Sequence, residues 1–255
     1  MKKLSSVLLI AVSLAAGTML LSCGDSSTDG QTRDNWKINV LLARNGETGL
    51  VNVYAEIFKN DAAYQSAVLK IDELPIQSQG NGKYVANLNP AALSDTSEIS
   101  ITTPLEAFQF MSTIVVPDTF SFNFDQLPGS QVFSSTNVVN VHWNGSDFEG
   151  MTGGYFIVTE PTSAANTAVG SFDLFAATQG SIPHDAFRDS QGNFQLGTYN
   201  IWVVSRIEQP INSPNLPFTI PSGVFTENVN RIGVTGQIGA IYISPHKTVT
   251  AVAGS

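Results

Sequence analysis

Apolar residues recur at every second position over most of the chain, and this period of two constrains the fold more than any other feature. Between residues 36 and 116 the alternation runs through Val51, Val53, Ala55 and Ile57, then Ala67, Leu69 and Ile71, then Tyr84, Ala86 and Leu88, then Ile99 and Ile101, and then Phe108 and Phe110. Turn sequences interrupt it at residues 45–46, 59–61, 80–82 and 94–95. A period of two is that of a β-strand with one buried face. We therefore expect six or seven short strands and no helix of ordinary length.

Strands of this number and spacing are typical of an immunoglobulin-like β-sandwich, which we assign to residues 35–117. Pro117 and Asp118 follow the last strand and form the expected domain boundary. The pattern then restarts with an aromatic row, Phe120, Phe122 and Phe124. Such a row is either a platform for a sugar ring or part of the core. We favour the core, because aromatic side chains account for much of the area that proteins bury.

Residues 118–255 form the second expected domain. Its alternating strands contain Val139, Val141 and Trp143, then residues 154–158 with Tyr155, then Leu196, Gly197, Thr198 and Tyr199, with closing strands at 238–244 and 248–252. A tyrosine that follows a glycine turn and opens a strand suits a tyrosine corner, in which the hydroxyl bonds nearby backbone. Together these residues resemble a fibronectin type III domain. The resemblance implies a second β-sandwich, although the segment exceeds the usual ~100 residues.

Much of the extra length lies in a loop at residues 207–231. Four prolines keep it from regular strand pairing, Pro210, Pro214, Pro217 and Pro221. Its apolar residues either fold back on the sheet or form an exposed patch; they are Leu216, Phe218, Ile220 and Phe225. We favour folding back, because soluble proteins rarely expose large apolar patches.

The first 22 residues form a secretion signal. Lys2 and Lys3 precede an apolar run that ends at Ser22, and the chain's single cysteine, Cys23, follows directly. Leu20, Leu21, Ser22 and Cys23 resemble the lipobox of bacterial lipoproteins. The resemblance implies cleavage between Ser22 and Cys23, a diacylglycerol on the Cys23 sulfur and an acyl chain such as palmitate on the new amino group. Two or three chains hold a protein on a bilayer permanently.

Two other interpretations of this region compete. The apolar run is short for the ~20 residues of an uncleaved membrane helix, and no second cysteine exists to pair with a buried Cys23 thiol. Residues 23–34 are small and polar, which predicts a lipidated flexible linker. Gly24, after the cysteine, is not the aspartate associated with inner-membrane retention, so the resemblance favours the outer membrane of a Gram-negative bacterium.

Charge narrows the range of partners. The chain has 255 residues and a formal charge of −9, and removal of residues 1–22 takes away two lysines and no acid, which leaves −11. An acidic surface argues against nucleic acid and against electrostatic binding to anionic lipid. We expect a membrane attachment through lipid alone and an envelope protein or glycan as the partner.

The sequence contains no signature of catalysis or of a metal site. His142, His184 and His246 lie far apart, without the spacing of a zinc site, and no GxSxG nucleophile motif occurs. The segment 189–193 has the oxygen-rich composition of a calcium loop but lacks its closing glutamate, so a plain turn explains it better. We predict no catalytic residues, no metal and no cofactor.

The fold class that we predict is all-β: two tandem β-sandwiches after a cleaved signal peptide and a flexible linker. The predicted function is that of a non-enzymatic binding or structural module, for adhesion or protein–protein contact, through sheet edges or the 207–231 loop. One alternative is glycan capture by an exposed tryptophan; the candidate ligand contacts are Trp36, Trp202, Phe218 and Phe225. Trp202 lies on the strand face opposite Tyr199 and Ile201, so it is either exposed or packed beneath the 207–231 loop. A second alternative is an enzyme of unrecognised type.

Overall fold

The computed structural model describes residues 34–125, 132–143, 151–159, 166–172, 179–208, 210–220 and 226–253. This part of the chain is built of strands and two 3₁₀ turns, Pro90–Ala92 and His184–Phe187. The strands are β1 (Trp36–Asn45), β2 (Val51–Lys59), β3 (Ala62–Ala63), β4 (Val68–Ile71), β5 (Leu74–Gly80), β6 (Lys83–Leu88), β7 (Thr96–Thr102), β8 (Gln109–Val115), β9 (Phe122–Asp125), β10 (Val132–Phe133), β11 (Val139–Trp143), β12 (Gly153–Thr159), β13 (Asn166–Phe172), β14 (Gln179–Ile182), β15 (Gly197–Glu208), β16 (Val229–Arg231), β17 (Val234–Ile243) and β18 (Lys247–Ala251). The all-β prediction is confirmed.

The strands form one large sheet and one small sheet. The main path of the large sheet is β10-β18-β15-β17-β1-β2-β6-β5-β4-β7-β8, with β12 and β13 branching from β15. The small sheet has the order β14-β11-β9. Most neighbouring strands are antiparallel; the long exception is β1 beside β17, which run parallel from Trp36 and Val234 to Asn45 and Ile243.

Two apolar cores lie between facing parts of these sheets. The first contains residues from β1, β2, β6, β16 and β17 on one side and from β4, β7 and β8 on the other. The second lies between β12, β15 and β18 and the small sheet, where Phe122, Val141 and Ile182 are buried. Alternate residues of each strand enter a core, as expected for sandwich layers. Phe120 and Phe122 are buried and Phe124 packs against them, so the prediction that this row belongs to the core is confirmed.

Strand β17 contributes to both cores. Val234 and Ile238 pack in the first, whereas Tyr242 packs in the second, and residues 33–255 form one compact unit. The division after Pro117 stays a prediction. The sheet is continuous across it, because β1 from the first segment hydrogen-bonds with β17 from the second.

The contact between β1 and β17 requires a glycine. Gly236 has φ +143°, and a Cβ built on it would lie 1.8 Å from the carbonyl oxygen of Ile38. Next to it, the Asn39 side chain accepts a hydrogen bond of 3.1 Å from the amide of Gln237. Only a residue without a side chain lets the two strands approach this closely with that backbone conformation.

The described part of the 207–231 loop covers the outer face of the large sheet. Phe218, Ile220 and Ile211 join a third apolar cluster with sheet residues that include Leu41, Trp202 and Ile241, and Leu216 packs against its rim. The prediction that the loop folds back is confirmed for these residues; Phe225 lies outside the described residues. Because of this cover, the central strands are buried on both faces.

The predicted tyrosine corner is present at the start of β15. The Tyr199 hydroxyl donates a 3.0 Å hydrogen bond to the carbonyl of Gln195, four residues upstream. Its ring is buried and meets Phe187 edge-on, with ring centroids 5.1 Å apart. The corner joins the chain before β15 to the second core.

Sequence patterning missed strand β5, because only Ile76 is buried among its seven residues. The hairpin that leads into it turns through Asp72 and Glu73, both with positive φ. The Asp72 carboxylate accepts hydrogen bonds from the amides of Ser94 at 2.8 Å and Glu98 at 2.7 Å. Burial raises the pKa of Asp72, but these amide bonds outweigh it and hold the pKa below its usual value.

Candidate functional site

Three of the four aromatic residues that the sequence offered as ligand contacts are buried, and the fourth, Phe225, lies outside the described residues. Trp36 is 4% exposed; its ring stacks on Phe108 at 4.2 Å and meets Tyr64 edge-on at 4.9 Å. The expectation that Trp36 is exposed is therefore wrong, because its face of β1 is the one that enters the first core. Ser22 and Cys23 lie outside the described residues, so their predicted cleavage and lipidation stay predictions.

Trp202 and Phe218 are buried against each other under the loop. They are 6% and 2% exposed, with ring centroids 6.0 Å apart. Trp202 points away from the second core, as its position opposite Tyr199 and Ile201 indicated, but the loop covers that face. Neither ring presents a free face to a sugar, so the exposure that the glycan alternative requires is absent at both, and Trp202 packs beneath the loop.

The three histidines stay apart. His142 pairs with Asp125, and His246 pairs with Glu47 beside Trp202. Within the described ranges no group of three histidine, cysteine or acidic side chains is placed to hold a metal ion. Burial raises the pKa of Glu47, but the hydrogen bonds from His246 outweigh it and leave the pKa below its usual value.

The oxygen-rich segment at 189–193 is a turn. The Asp189 carboxylate accepts bonds from the amides of Gln191 at 2.9 Å and Asn193 at 2.8 Å, and from the Gln195 side chain at 2.9 Å. Both carboxylate oxygens therefore bond the protein itself. These bonds lower the pKa of Asp189, the amide of Asn193 most of all.

Two clefts meet at Arg44, the next-to-last residue of β1. The first, which we call the acidic cleft, has a volume of about 360 Å³ and is lined by residues that include Ser94, Asp95 and Asp118. The second, the neutral cleft, has a volume of about 460 Å³. It is lined by Arg44, Asn45, Gly46, Gly49, Thr119, Phe120, Ser121 and Tyr242.

Arg44 has few partners for a half-buried cation. Its side chain is 25% exposed. One nitrogen, Nη1, donates a long 3.5 Å bond to the carbonyl of Pro117 and lies 3.9 Å from the Asp118 carboxylate. A guanidinium carries five N–H donors, and both contacts are at the distance where hydrogen bonding ends. Among the described residues its other N–H groups have no hydrogen-bond partner, and Arg44 lines both clefts.

Two residues that line the neutral cleft, Tyr242 and Phe120, contact each other. The Tyr242 hydroxyl donates a 3.0 Å bond to the carbonyl of Phe120, and the two rings meet edge-on at 4.9 Å. Burial raises the pKa of Tyr242 despite the nearby charge of Arg44. At Gly46 an added Cβ would lie 2.5 Å from that hydroxyl. A ligand in the cleft would therefore meet preformed groups.

A different surface lies at β8, where the main path of the large sheet ends. β8 pairs with β7 on one side, and no described residue hydrogen-bonds with its backbone on the other side. Its seven residues include no charge, proline or glycine. Met111 and Val115 point outward and are 43% and 42% exposed. Natural edge strands usually carry a charged residue or a proline that blocks the addition of another strand. β8 has neither, so its edge is open to pairing.

Sequence reasoning missed Arg44. The residue is a single charge at the end of an apolar strand, and the groups around it come from four distant segments of the chain. β8 was predicted as a strand, but its edge position depends on strand order, which alternation does not encode.

Comparison with known proteins gives no evidence about the function of this chain. No protein-family model and no curated protein matches the sequence. A solved structure of fibronectin(III)-like modules of CbhA from Clostridium thermocellum aligns with 85% of this chain and 93% of its own, at 10% identity and a TM-score of 0.29. A likeness this small carries no argument about function. Among the residues described, no helix has the length and apolarity needed to span a bilayer.

Proposed function

We propose that this chain is a lipid-anchored, non-enzymatic module of the bacterial outer membrane that binds another envelope protein through the edge of β8. The attachment is proposed from the sequence alone: Cys23 carries the lipid, and residues 23–34 act as the tether. The tether ends directly before β1, which lies in the middle of the large sheet. A pull on the tether is therefore borne by paired strands and not by a frayed terminus.

The free edge of β8 is the observation that carries the partner proposal. An extended segment of another protein can add to such an edge, with main-chain hydrogen bonds for affinity and alternate side chains for specificity. The outward Met111 and Val115 offer apolar contacts to that segment. The other surface suggested by the sequence, the 207–231 loop, buries Phe218 and Ile220 on its own sheet. The sheet edge is thus favoured over the loop.

The test is site-specific photocrosslinking in cells. A photoreactive residue replaces Thr113, which is exposed at the centre of β8, and the control label replaces Thr198, which is exposed on β15. We expect a discrete crosslinked protein from Thr113 that is absent from Thr198. Met111→Lys with Val115→Lys should remove it, because charges block strand addition, whereas Val138→Lys, at an equally exposed apolar site, should not.

Two results would contradict the proposal. One is equal crosslinking from Thr113 and Thr198. The other is a Thr113 crosslink that survives both lysines on β8, since the partner would then not depend on this edge.

A further inference from the structure

The two clefts at Arg44 form a second surface, which shares only Val115 of the acidic cleft with strand β8. Arg44 stands where β1 pairs with both β2 and β17: its register partners are Val51 and Tyr242. It separates the acidic cleft from the neutral cleft and lines both. A ligand that lies across Arg44 therefore touches two environments of different charge.

The neutral cleft suits an anionic group. Its lining contains one cation, Arg44, and no acidic side chain. Thr119 and Ser121 add exposed hydroxyl groups, and Gly46 and Gly49 line the cleft without side chains. The guanidinium fork can bind a carboxylate through two parallel hydrogen bonds, so a carboxylate is a suitable group for this cleft.

The acidic cleft suits hydroxyl groups. Asp95 and Asp118 line it, and their carboxylates accept hydrogen bonds from a polyol. They would repel a second anion, which restricts the negative charge of the ligand to the neutral side. A volume of several hundred Å³ on each side is that of a small-ligand site.

We infer that Arg44 is the anchor of a site for a sugar that bears a carboxylate. The carboxylate lies on the guanidinium from the neutral cleft, and ring hydroxyls lie against Asp95 and Asp118. The buried tryptophans take no part. The anchor Arg44 lies on β1 and not on β8, and glucuronate binding needs no partner protein, so each proposal can fail without the other.

The test uses the purified full chain and saturation-transfer NMR, with D-glucuronate as the probe. D-glucose, which has the same ring without the carboxylate, and inorganic phosphate, which has the charge without the ring, are the comparison ligands. We expect saturable binding of glucuronate, binding of glucose weaker by about tenfold or more, and no competition by equimolar phosphate. Equal binding of glucose, effective competition by phosphate, or no saturable binding of glucuronate would each overturn the inference.

Variants separate binding from folding. Arg44→Gln should weaken glucuronate binding by about tenfold, and Arg231→Gln, at an arginine outside both clefts, should leave it unchanged. If Arg44→Gln does not fold, Thr119→Trp serves instead, because it fills the neutral cleft from an exposed position. Unchanged affinity in Arg44→Gln would show that Arg44 only holds the 117–118 segment. Unchanged affinity in Thr119→Trp, used in its place, would show that the neutral cleft is not the site.

Discussion

Gly236→Ala tests the central strand pair of the fold. The added Cβ would lie 1.8 Å from the carbonyl oxygen of Ile38, 2.6 Å from its carbonyl carbon and 2.9 Å from its nitrogen. All three are backbone atoms of β1, so no side chain can rotate away. β1 must separate from β17, or the backbone at position 236 must leave φ +143°.

The expected cost combines three effects. A non-glycine residue at such a φ costs about 1–3 kcal/mol, forced separation of packed elements about 1–3 kcal/mol, and each weakened ladder hydrogen bond about 1 kcal/mol. We expect a loss of about 4 kcal/mol in the free energy of unfolding, which is a large share of the stability of an ordinary domain.

The measurement is equilibrium unfolding in urea, with Gly192→Ala as the matched control. Gly192 also has a positive φ, +84°, but nothing lies within 4 Å of an added Cβ. It should therefore show the backbone cost alone, about 1–2 kcal/mol. If Gly236→Ala is no more destabilised than Gly192→Ala, the close parallel pairing of β1 with β17 is wrong.

Three further outcomes follow from single contacts. Tyr199→Phe should lower the free energy of unfolding by about 1 kcal/mol through loss of its bond to Gln195; an unchanged urea midpoint would contradict the tyrosine corner. Asp72→Asn keeps a side chain that tolerates positive φ but removes one charged acceptor, so thermal unfolding should show a loss of about 1–2 kcal/mol. The folded pKa of Glu47 lies below its usual value of 4.5, so its stabilisation is present above pH 4.5 and is lost as the pH falls through the folded pKa. Stability measured against pH should therefore fall less steeply on the acid side in Glu47→Gln than in the wild type, and parallel curves would refute the Glu47–His246 pair.

Local features were predictable from the sequence because neighbours in the chain determine them. The strand around Tyr199 and its corner need only a glycine turn and alternation over a few residues. The packing of Phe218 on the sheet was predictable because soluble proteins rarely expose large apolar patches. Alternation in β1 also places Trp36 on the same face as the apolar Ile38. This shared face indicated that Trp36 is buried.

Long-range features were not predictable. The parallel partner of β1 is β17, about 200 residues later. The alternation within a strand does not say which strand lies beside it or whether the two run parallel or antiparallel. The cover over Trp202 depends on the path of the 210–220 segment, which has no regular pattern. Arg44 became a candidate only because the fold brings Asp95, Thr119 and Tyr242 around it.

The attachment of the chain to a membrane is the claim on which its proposed role at the envelope depends. The most direct test is the intact mass of the protein extracted from membranes, with wild type beside Cys23→Ala. The account predicts a wild-type chain that begins at Cys23 and is heavier by a diacylglycerol and an acyl group, and a variant that lacks both the added mass and the membrane attachment. A wild-type mass without lipid, whether the chain is cut elsewhere or retains residues 1–22, would contradict it.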